Sequence, residues 1–492
     1  MRTWSSRNAL GASVTYAILS LGLVSAANAA DVSFPVKAPP VLPDLSWGGV
    51  SIIGAIDVSG QYQQYGAPYA GMTYGTSSLI QPQSRSAQWL FAPNQSLQSY
   101  IGVKVDRAVT SDLSFIARAE MGFNPTTGDI SDTLKTLQKN NGIPLASQIT
   151  SGDGSRAGQI LNGEAWVGLN SKTLGTIHVG RNNAPALDMV GAYDPLASYG
   201  FSLFGYLGVL AGQGSGETSR VDDSIKYLNT VGSFRTEIMF GAPNTNVKNF
   251  LQGTVGIVRP NFSVDLIAGH TSDSVFANSL SGTANVGSSY LGARVFDTTM
   301  YGIFGKYIFD VGGRGPLATP ESKFILTGGY QRLTLSNPAD GGYGPNHLTI
   351  GGYQIGPVLA TNGSTASGIV NYAFTGGNRD IDTAFIAGKY QYDSQLSFAT
   401  AYYLYRASSF GQGVNSIPGI VAPSYSNTKC SSSAFSNCSG LEQAAAFRAD
   451  YQWTKNIMLY GGLVYSKVSD GLAFSYIKTS TVTSTVGVRL TF

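Results

Sequence analysis

The sequence has few charged residues and few histidines. Asp, Glu, Lys and Arg together make up 12% of its 492 residues, about half of the usual ~25%. Its three histidines, His178, His270 and His347, lie far apart and show no spacing typical of zinc ligands. The low charge argues against a disordered chain, and we predict neither a metal site nor a cofactor.

Long apolar runs and recognisable catalytic motifs are also absent. After the N-terminal segment, no stretch approaches the ~20 apolar residues that a membrane-spanning helix needs. The sequence contains no Ser, His and Asp set with a recognisable spacing and no Walker-type nucleotide loop. A net charge of only +3 gives no electrostatic reason to expect nucleic-acid binding. We therefore predict that the protein is not an enzyme and does not bind nucleic acid.

The N-terminus has the three parts of a secretory signal peptide. Arg2 and Arg7 form a basic start, residues 9–25 are mostly apolar, and Ala27-Asn28-Ala29 is a small-x-small cleavage site. This pattern predicts a signal peptide over the first 29 residues, and an uncleaved membrane anchor is the alternative. The next segment, residues 30–48, is rich in proline and is predicted to be an extended lead-in.

The chain has two cysteines, Cys430 and Cys438, in the sequence KCSSSAFSNCSG. An exported chain meets an oxidising compartment, where cysteines this close in sequence form a disulfide. We predict that disulfide, and the alternative is a pair of free thiols.

Beyond the lead-in, the chain contains many segments in which apolar and polar residues alternate. In the segment 113–123, the odd-numbered residues are apolar, and Arg118 and Glu120 lie on the opposite face. In the last segment, Val482, Val486 and other apolar residues alternate with threonines. Successive residues of a strand point to opposite sides of a sheet, so these segments predict strands with one apolar and one polar face.

Three features favour a membrane barrel over a soluble sheet. The predicted strands are ~9–13 residues long, as tilted strands need to cross a bilayer. Aromatic residues cluster near the strand ends. Short turns alternate along the chain with long connections rich in Gly, Ser and Asn. A sheet in lipid must close to leave no unpaired edge. Residues 49–492 are therefore predicted to form an all-β, transmembrane antiparallel β-barrel of about 16 strands.

One long connection, residues 182–219, shows no strand signal for almost its whole length. Connections of this length inside a compact domain are uncommon and are usually functional or disordered. The segment is therefore a candidate for a loop with a specific role in the barrel.

Four sequences in this order, SYIGVKVDRAVTSDLSFIARAEMGFN, GEAWVGLNSKTLGTIHVGR, RVDDSIKY and a terminal TVGVRLTF, resemble the general diffusion porins of Gram-negative, proteobacterial outer membranes. The resemblance implies a trimeric, sixteen-stranded barrel whose third outer loop, here residues 182–219, folds into the lumen. It also implies a water-filled channel for ions and small hydrophilic solutes, surrounded by outer-membrane lipid. Phe492 would be the aromatic C-terminal signal for the outer-membrane barrel assembly machinery.

Basic residues of a pore constriction are expected on the wall around this loop. By resemblance, Arg181 stands at the root of the loop and Arg220 on the wall after it. Alternation places Arg118 and Lys226 on lumen faces as well. Such charges would sort solutes at close quarters, and the alternative is an ordinary solvated inner face.

Acidic residues are expected to oppose them. By resemblance, Asp57 and Glu120 are lumen carboxylates of the wall. Asp188 and Asp194 lie on the predicted loop, where either could instead cap a turn. The family's Pro-Glu-Phe-Gly loop signature is absent, and two of its wall arginines are replaced here by Tyr100 and Gly163.

The leading prediction is therefore an outer-membrane porin for passive diffusion. A substrate-specific porin for sugars or organic acids is an alternative, for which Trp166 and Tyr403 would suit a sugar-stacking surface. A structural or adhesive surface barrel with a plugged lumen is the third possibility.

Overall fold

The structure is a computed structural model. It describes residues 45–492 except 69–77, 151–157, 197–199, 204–218, 244–247, 280–289, 315–317, 340–348, 351, 356, 360–364, 368, 371–373, 375–376 and 412–429. The predicted signal peptide and most of the lead-in therefore lie outside the described residues.

Sixteen antiparallel strands form one closed barrel. Their bounds are β1 Val50–Gly66, β2 in two parts (β2a Ser86–Pro93 and β2b Ser99–Ala108), β3 Leu113–Phe123, β4 Ala165–Ser171, β5 Gly175–Asn183, β6 Arg220–Val231, β7 Phe234–Gly241, β8 Asn249–Arg259, β9 Phe262–Asn278, β10 Tyr290–Asp310, β11 Lys323–Ser336, β12 Arg379–Gln391, β13 Leu396–Ala407, β14 Gly440–Gln452, β15 Ile457–Asp470 and β16 Ser480–Thr491. The predicted fold class is confirmed.

Shorter elements lie in the connections. Two α-helices are present among the described residues, α1 Thr133–Lys139 and α2 Pro185–Tyr193, with 3-10 turns at Leu145–Ser147 and Gly471–Ala473. Short strands occur at Ser46–Trp47, Thr349–Ile350, Tyr353–Ile355, Pro357–Leu359, Thr365–Ser367 and Ile369–Val370. Within the described ranges, no helix has both the length and the apolar character needed to cross a membrane.

The barrel closes where the first strand meets the last. β1 pairs with β16 from Ala55 opposite Thr491 to Gln63 opposite Thr483, and its other edge pairs with β2. Beyond the last strand, the backbone of Phe492 exchanges two hydrogen bonds of 3.0 Å with Gly54. A Cβ on Gly54 would lie 2.3 Å from the ring of Phe492, so any larger residue here would force this ring to move.

The alternation of the sequence sets the two faces of the barrel. On β16, Val486 is 72% exposed on the outer face, whereas Thr481, Thr483 and Thr485 are buried on the inner face. The outer face is broadly apolar, with exposed Ile, Leu, Val and aromatic side chains on most strands. The inner face carries Asp, Glu, Lys, Arg, Gln and Thr, so the faces are polarised as in a membrane barrel with an aqueous lumen.

Strand β2 is interrupted, which the sequence did not reveal. The sequence places a long connection over residues 64–95, but the structure contains strand β2a there. Residues 94–98 leave the sheet, and the side chain of Asn94 accepts a 2.7 Å hydrogen bond from the backbone N–H of Ser99. The interruption brings polar backbone and side chains inward at this point of the wall.

The β9–β10 pair extends beyond the neighbouring strands. A bulge between Thr271 and Ser274 shifts the register, and Asp273 within it has a φ of +56°. Above the bulge, one face of the pair packs against Leu134 of helix α1, which comes from the β3–β4 connection. Asp132 caps that helix by accepting a 3.0 Å hydrogen bond from the backbone N–H of Lys135.

Cys430 and Cys438 form a disulfide in the connection between β13 and β14, as the sequence predicts. The bond closes a small loop with a backbone hydrogen bond of 2.9 Å from the N–H of Ser439 to the carbonyl of Cys430. This connection is one of the long ones, which join strands at what we call the long-loop end of the barrel. The opposite end carries the short connections, and we call it the short-turn end.

Candidate functional site

The connection after β5 contains a helix that the sequence did not reveal. We expected no regular structure in residues 182–219, but Pro185–Tyr193 forms α2. Ala184 is extended, as residues before proline prefer, and Pro185 occupies the first helical turn, where its missing N–H costs nothing. The backbone N–H of Ala184 donates a 2.9 Å hydrogen bond to the carbonyl of Ser219, so the two ends of the connection meet at the wall.

Helix α2 packs against side chains of the inner face. Met189, Val190 and Tyr193 are buried in one apolar cluster with wall residues that include Ile267 and Phe304. Polar contacts fix its position along the wall. The Ala186 N–H donates to Gln252 (3.3 Å), Lys306 Nζ donates to the Ala192 carbonyl (3.2 Å), and the Tyr193 hydroxyl donates to Asp265.

Beyond α2, the chain continues along the inner face toward β13 to β15. Asp194 accepts hydrogen bonds from the Ser202 hydroxyl (2.6 Å) and the Tyr403 hydroxyl (2.8 Å). Burial raises the pKa of the Asp194 carboxyl, while these hydrogen bonds act in the opposite direction. The Phe201 ring packs edge-on against Tyr460, 6.2 Å between centroids. The described part of the loop therefore lies inside the barrel, anchored on both sides.

Tyr403 serves this anchoring and is 1% exposed. Trp166, the other aromatic residue that the sequence offered for sugar stacking, lies flat on His178 at 3.7 Å between ring centroids. Its indole N–H donates a 3.1 Å hydrogen bond to Glu164. Neither ring presents two free faces to a solute.

Paired charges cover the inner wall near the root of the loop. Lys226 on β6 forms ion pairs with Asp188 of α2 and with Glu237 of β7, the latter at 2.8 Å. On β3, Arg118 contacts Glu120 at 2.5 Å and Glu164 at 3.3 Å. Each cluster combines one cation with two carboxylates, so this wall carries a local excess of negative charge.

Arg181 and Arg220 lie on the same side of the barrel. Arg181 is buried and forms a 2.7 Å ion pair with Asp222, and its Nε donates a 3.1 Å hydrogen bond to the Gly163 carbonyl. Arg220 is half-buried and pairs in register with Asn183, the last residue of β5. Both arginines therefore stand where the loop leaves and rejoins the wall.

Asp57 lies apart from these clusters. Its carboxylate is fully buried and accepts hydrogen bonds from the Tyr460 hydroxyl (2.7 Å) and the Leu97 N–H (3.3 Å). Arg489 lies 3.5 Å away. The structure thus places Lys226 next to Asp188, and Arg118 next to Glu120. Asp57 and Asp194 each occupy a separate, hydrogen-bonded position.

The charged side chains near the root of the loop differ in their exposure to water. Among these charges, the side chains of Arg118, Asp188 and Asp222 are 30%, 34% and 31% exposed. Lys226 and Glu237 are each below 10%. Solutes inside the lumen therefore meet chiefly the exposed group of each pair.

A second set of lumen charges lies at the short-turn end of the barrel, and the sequence did not single this set out as a site. A cavity of about 570 Å³ is lined by Lys389, Arg448, Lys455 and Arg489, with Asp450 and Asp194 as its carboxylates. Arg448 pairs with Asp450 at 2.6 Å. Four cations and two carboxylates make this part of the lumen positive on balance.

Sequence reasoning also missed Arg235, Glu237 and Asp265. Arg235 forms an ion pair with Asp265 of β9, the residue that holds Tyr193 of α2. Alternation in FRTEIMFG places Arg235 and Glu237 on the inner face of β7, which is the signal that would have found them. No group of three or more His, Cys, Asp or Glu within the described ranges is arranged to hold a metal.

The closed sixteen-stranded barrel, its apolar outer face and its polar lumen define a membrane channel of the β-barrel class. The chain belongs to the Gram-negative porins, whose family model matches residues 15–471. It is therefore a channel of the outer membrane for passive diffusion. The resemblance drawn from the sequence is confirmed.

Solved structures share this fold. The anion-selective porin from Comamonas acidovorans is 14% identical with a TM-score of 0.53, over 90% of this chain and 99% of that one. In vitro folded OmpT, an outer membrane protein of Vibrio cholerae, is 12% identical with a TM-score of 0.51, over 92% of this chain and all of the other. No curated protein matches the sequence.

Proposed function

We propose that ions and small hydrophilic solutes cross the lumen past a constriction formed by α2 and the charged wall of β3 to β7. The ion pairs between Lys226, Asp188 and Glu237 are the observation that carries this proposal. They join the loop to the wall at its root and place fixed charges beside the aqueous path. Charges held in a low-dielectric wall act strongly on nearby ions.

Within this constriction, the predicted residues have two roles. The first role is to set the electric field near the root of the loop, and it belongs to Arg118, Arg181, Arg220, Lys226, Glu120 and Asp188. The second role is structural: the buried carboxylates of Asp57 and Asp194 hold β1, β13 and the loop in place. The selectivity between cations and anions would then depend on the first group of residues. The stability of the open-channel current would depend on Asp57 and Asp194.

We also propose that the protein is a homotrimer that assembles through its outer face near β2 to β5. Trp89 and Phe91 of β2a are 80% and 84% exposed there. Val103, Ala117 and other small apolar side chains nearby line a shallow groove on this face. One structure of Vibrio cholerae OmpT is described as a trimer form. Assembly through Phe492 and the absence of any catalytic activity belong to the same proposal.

Planar-bilayer recording tests the channel function. The purified protein should give stepwise, ohmic conductance in KCl, and heating the oligomer apart should abolish three-step insertions. A protein that inserts without conductance would be a plugged surface barrel and would overturn the proposal.

A further inference from the structure

A pocket at the long-loop end of the lumen combines aromatic rings with two arginines. Its volume is about 280 Å³, and its walls contain Phe276, Phe296, Phe374, Phe410, Arg294 and Arg379. Three aliphatic side chains and Tyr405 complete the lining. The pocket lies on the inner face of β9 to β13, in the same apolar cluster that receives α2.

The rings form a continuous wall. The Phe296 ring lies 5.3 Å from Phe276 and 5.0 Å from Phe374, and Phe374 meets Phe410 edge-on at 5.2 Å. The guanidinium of Arg379 lies 4.7 Å from the centroid of Phe410. Aromatic rings at these distances pack favourably and also attract a cation over a ring face.

The two arginines differ from the paired arginines of the constriction. Among the described residues, no carboxylate lies within 4 Å of either Arg294 or Arg379. Arg118, Arg181, Arg235, Arg448 and Arg489 each have such a carboxylate. Arg294 points from β10 into this region with an exposed side chain, and Arg379 is half-buried.

One acidic residue, Glu442, lies near the pocket without lining it. Glu442 stands opposite Tyr405 in the β13–β14 register and is 5% exposed. It forms no ion pair with Arg379 among the described contacts. Within the described part of the chain, the pocket therefore presents two positive guanidinium groups without a carboxylate partner, beside an apolar wall.

We propose that this pocket binds small organic anions with an aromatic body, an aromatic monocarboxylate being the simplest. The carboxylate would accept hydrogen bonds from both guanidinium groups, which have the planar geometry that carboxylates match. The ring would lie against the phenylalanines. Pockets of ~300–1,000 Å³ hold drug-sized ligands, so this smaller one fits a single substituted ring. The proposal rests on the proposed channel function, because it adds a solute class to the same lumen.

Benzoate is the probe, with acetate and benzylammonium as matched comparisons. Single channels are first recorded in KCl alone, so that a missing conductance would count against the channel function and not against the pocket. Benzoate added to either side should then interrupt the current in a saturable way. Acetate lacks the ring and benzylammonium reverses the charge, so each should block at least ~10-fold more weakly.

The variant Arg294→Gln/Arg379→Gln should weaken the benzoate block by ~10-fold or more, since two charge-assisted hydrogen bonds are lost. Arg406→Gln is the matched control, because Arg406 is the exposed neighbour of Tyr405 on the opposite face of β13. Calorimetric titration of the folded proteins with benzoate should give the same ratios. Equal block by acetate or benzylammonium, or an unchanged block in the double variant, would overturn the proposal.

Discussion

We expect Lys226 to have two roles: it contributes to ion selectivity, and it attaches the loop to the barrel wall. It is 3% exposed, forms ion pairs with Asp188 and Glu237, and donates a 3.0 Å hydrogen bond to the Asn183 carbonyl. Replacing it in the variant Lys226→Gln removes one positive charge and leaves two carboxylates together. We expect the channel to become more selective for cations.

The size of the effect follows from Coulomb's law. An ion that passes ~7 Å from a lost unit charge changes in energy by about 0.6 kcal/mol at the dielectric constant of water and about 2.4 kcal/mol at an effective value of 20. Screening in ~0.1 M salt roughly halves the lower figure, because the Debye length is ~10 Å. Cations and anions shift in opposite directions, so the screened lower figure of ~0.3 kcal/mol per ion changes the permeability ratio by about threefold, and a lower effective dielectric constant increases the change.

The reversal potential of the open channel in a KCl gradient measures this ratio directly. It should move toward the equilibrium potential of K⁺ in Lys226→Gln. The double variant Lys226→Gln/Glu237→Gln keeps the net charge of the wall, so its reversal potential should return close to the original. Lys467→Gln is the matched control, since Lys467 is exposed on the outer face of β15.

An unchanged reversal potential in Lys226→Gln would refute the placement of this charge beside the aqueous path. A shift of equal size in Lys467→Gln would also refute it, because the effect would then come from the overall charge of the protein. Recording each variant after a heat-modifiability gel confirms that a folded barrel is being compared.

Three further predictions concern the loop anchor, barrel closure and the disulfide. Asp194→Ala removes the acceptor of two buried hydroxyl groups, and each lost hydrogen bond contributes ~1.5–3 kcal/mol. The loop should therefore be held less firmly, and the open-channel current should become noisier. A steady current would contradict the anchoring role of Asp194. Gly54→Val should lower the yield of folded barrel because its side chain would overlap Phe492, whereas Gly60→Val, with nothing within 4 Å of its Cβ, should fold normally. Reducing the disulfide at the long-loop end should leave single-channel conductance unchanged, and a changed conductance would place that loop on the solute path.

Much of the barrel could be predicted from local patterns. Alternation over 113–123 gives β3 with its observed bounds, and the disulfide follows from the spacing of the cysteines and an exported chain. The local pattern did not reveal the full length of strand β10, which begins at Tyr290. The extension pairs beyond a bulge, and a bulge interrupts the period-two pattern on which the prediction depends.

The charged contacts of the lumen could be predicted only in part. Arg118 and Glu120 are two residues apart on one strand, so alternation alone places them side by side. Asp265 and Tyr193 are 72 residues apart, and their contact depends on the path of the loop inside the barrel. The anchoring role of Asp194 is likewise invisible in sequence, because Tyr403 of β13 supplies the donor.

The sequence by itself determined the class of this protein: a two-residue period and low charge specify strands with one lipid-facing side, and lipid requires the sheet to close. The tertiary structure decided which charges meet. Closure brings strands that are distant in sequence into register, and the inward loop then pairs Asp188 with Lys226. The same closure places Arg294 and Arg379 beside a wall of phenylalanines. Such contacts depend on distances across a lumen, which no local pattern of residues encodes.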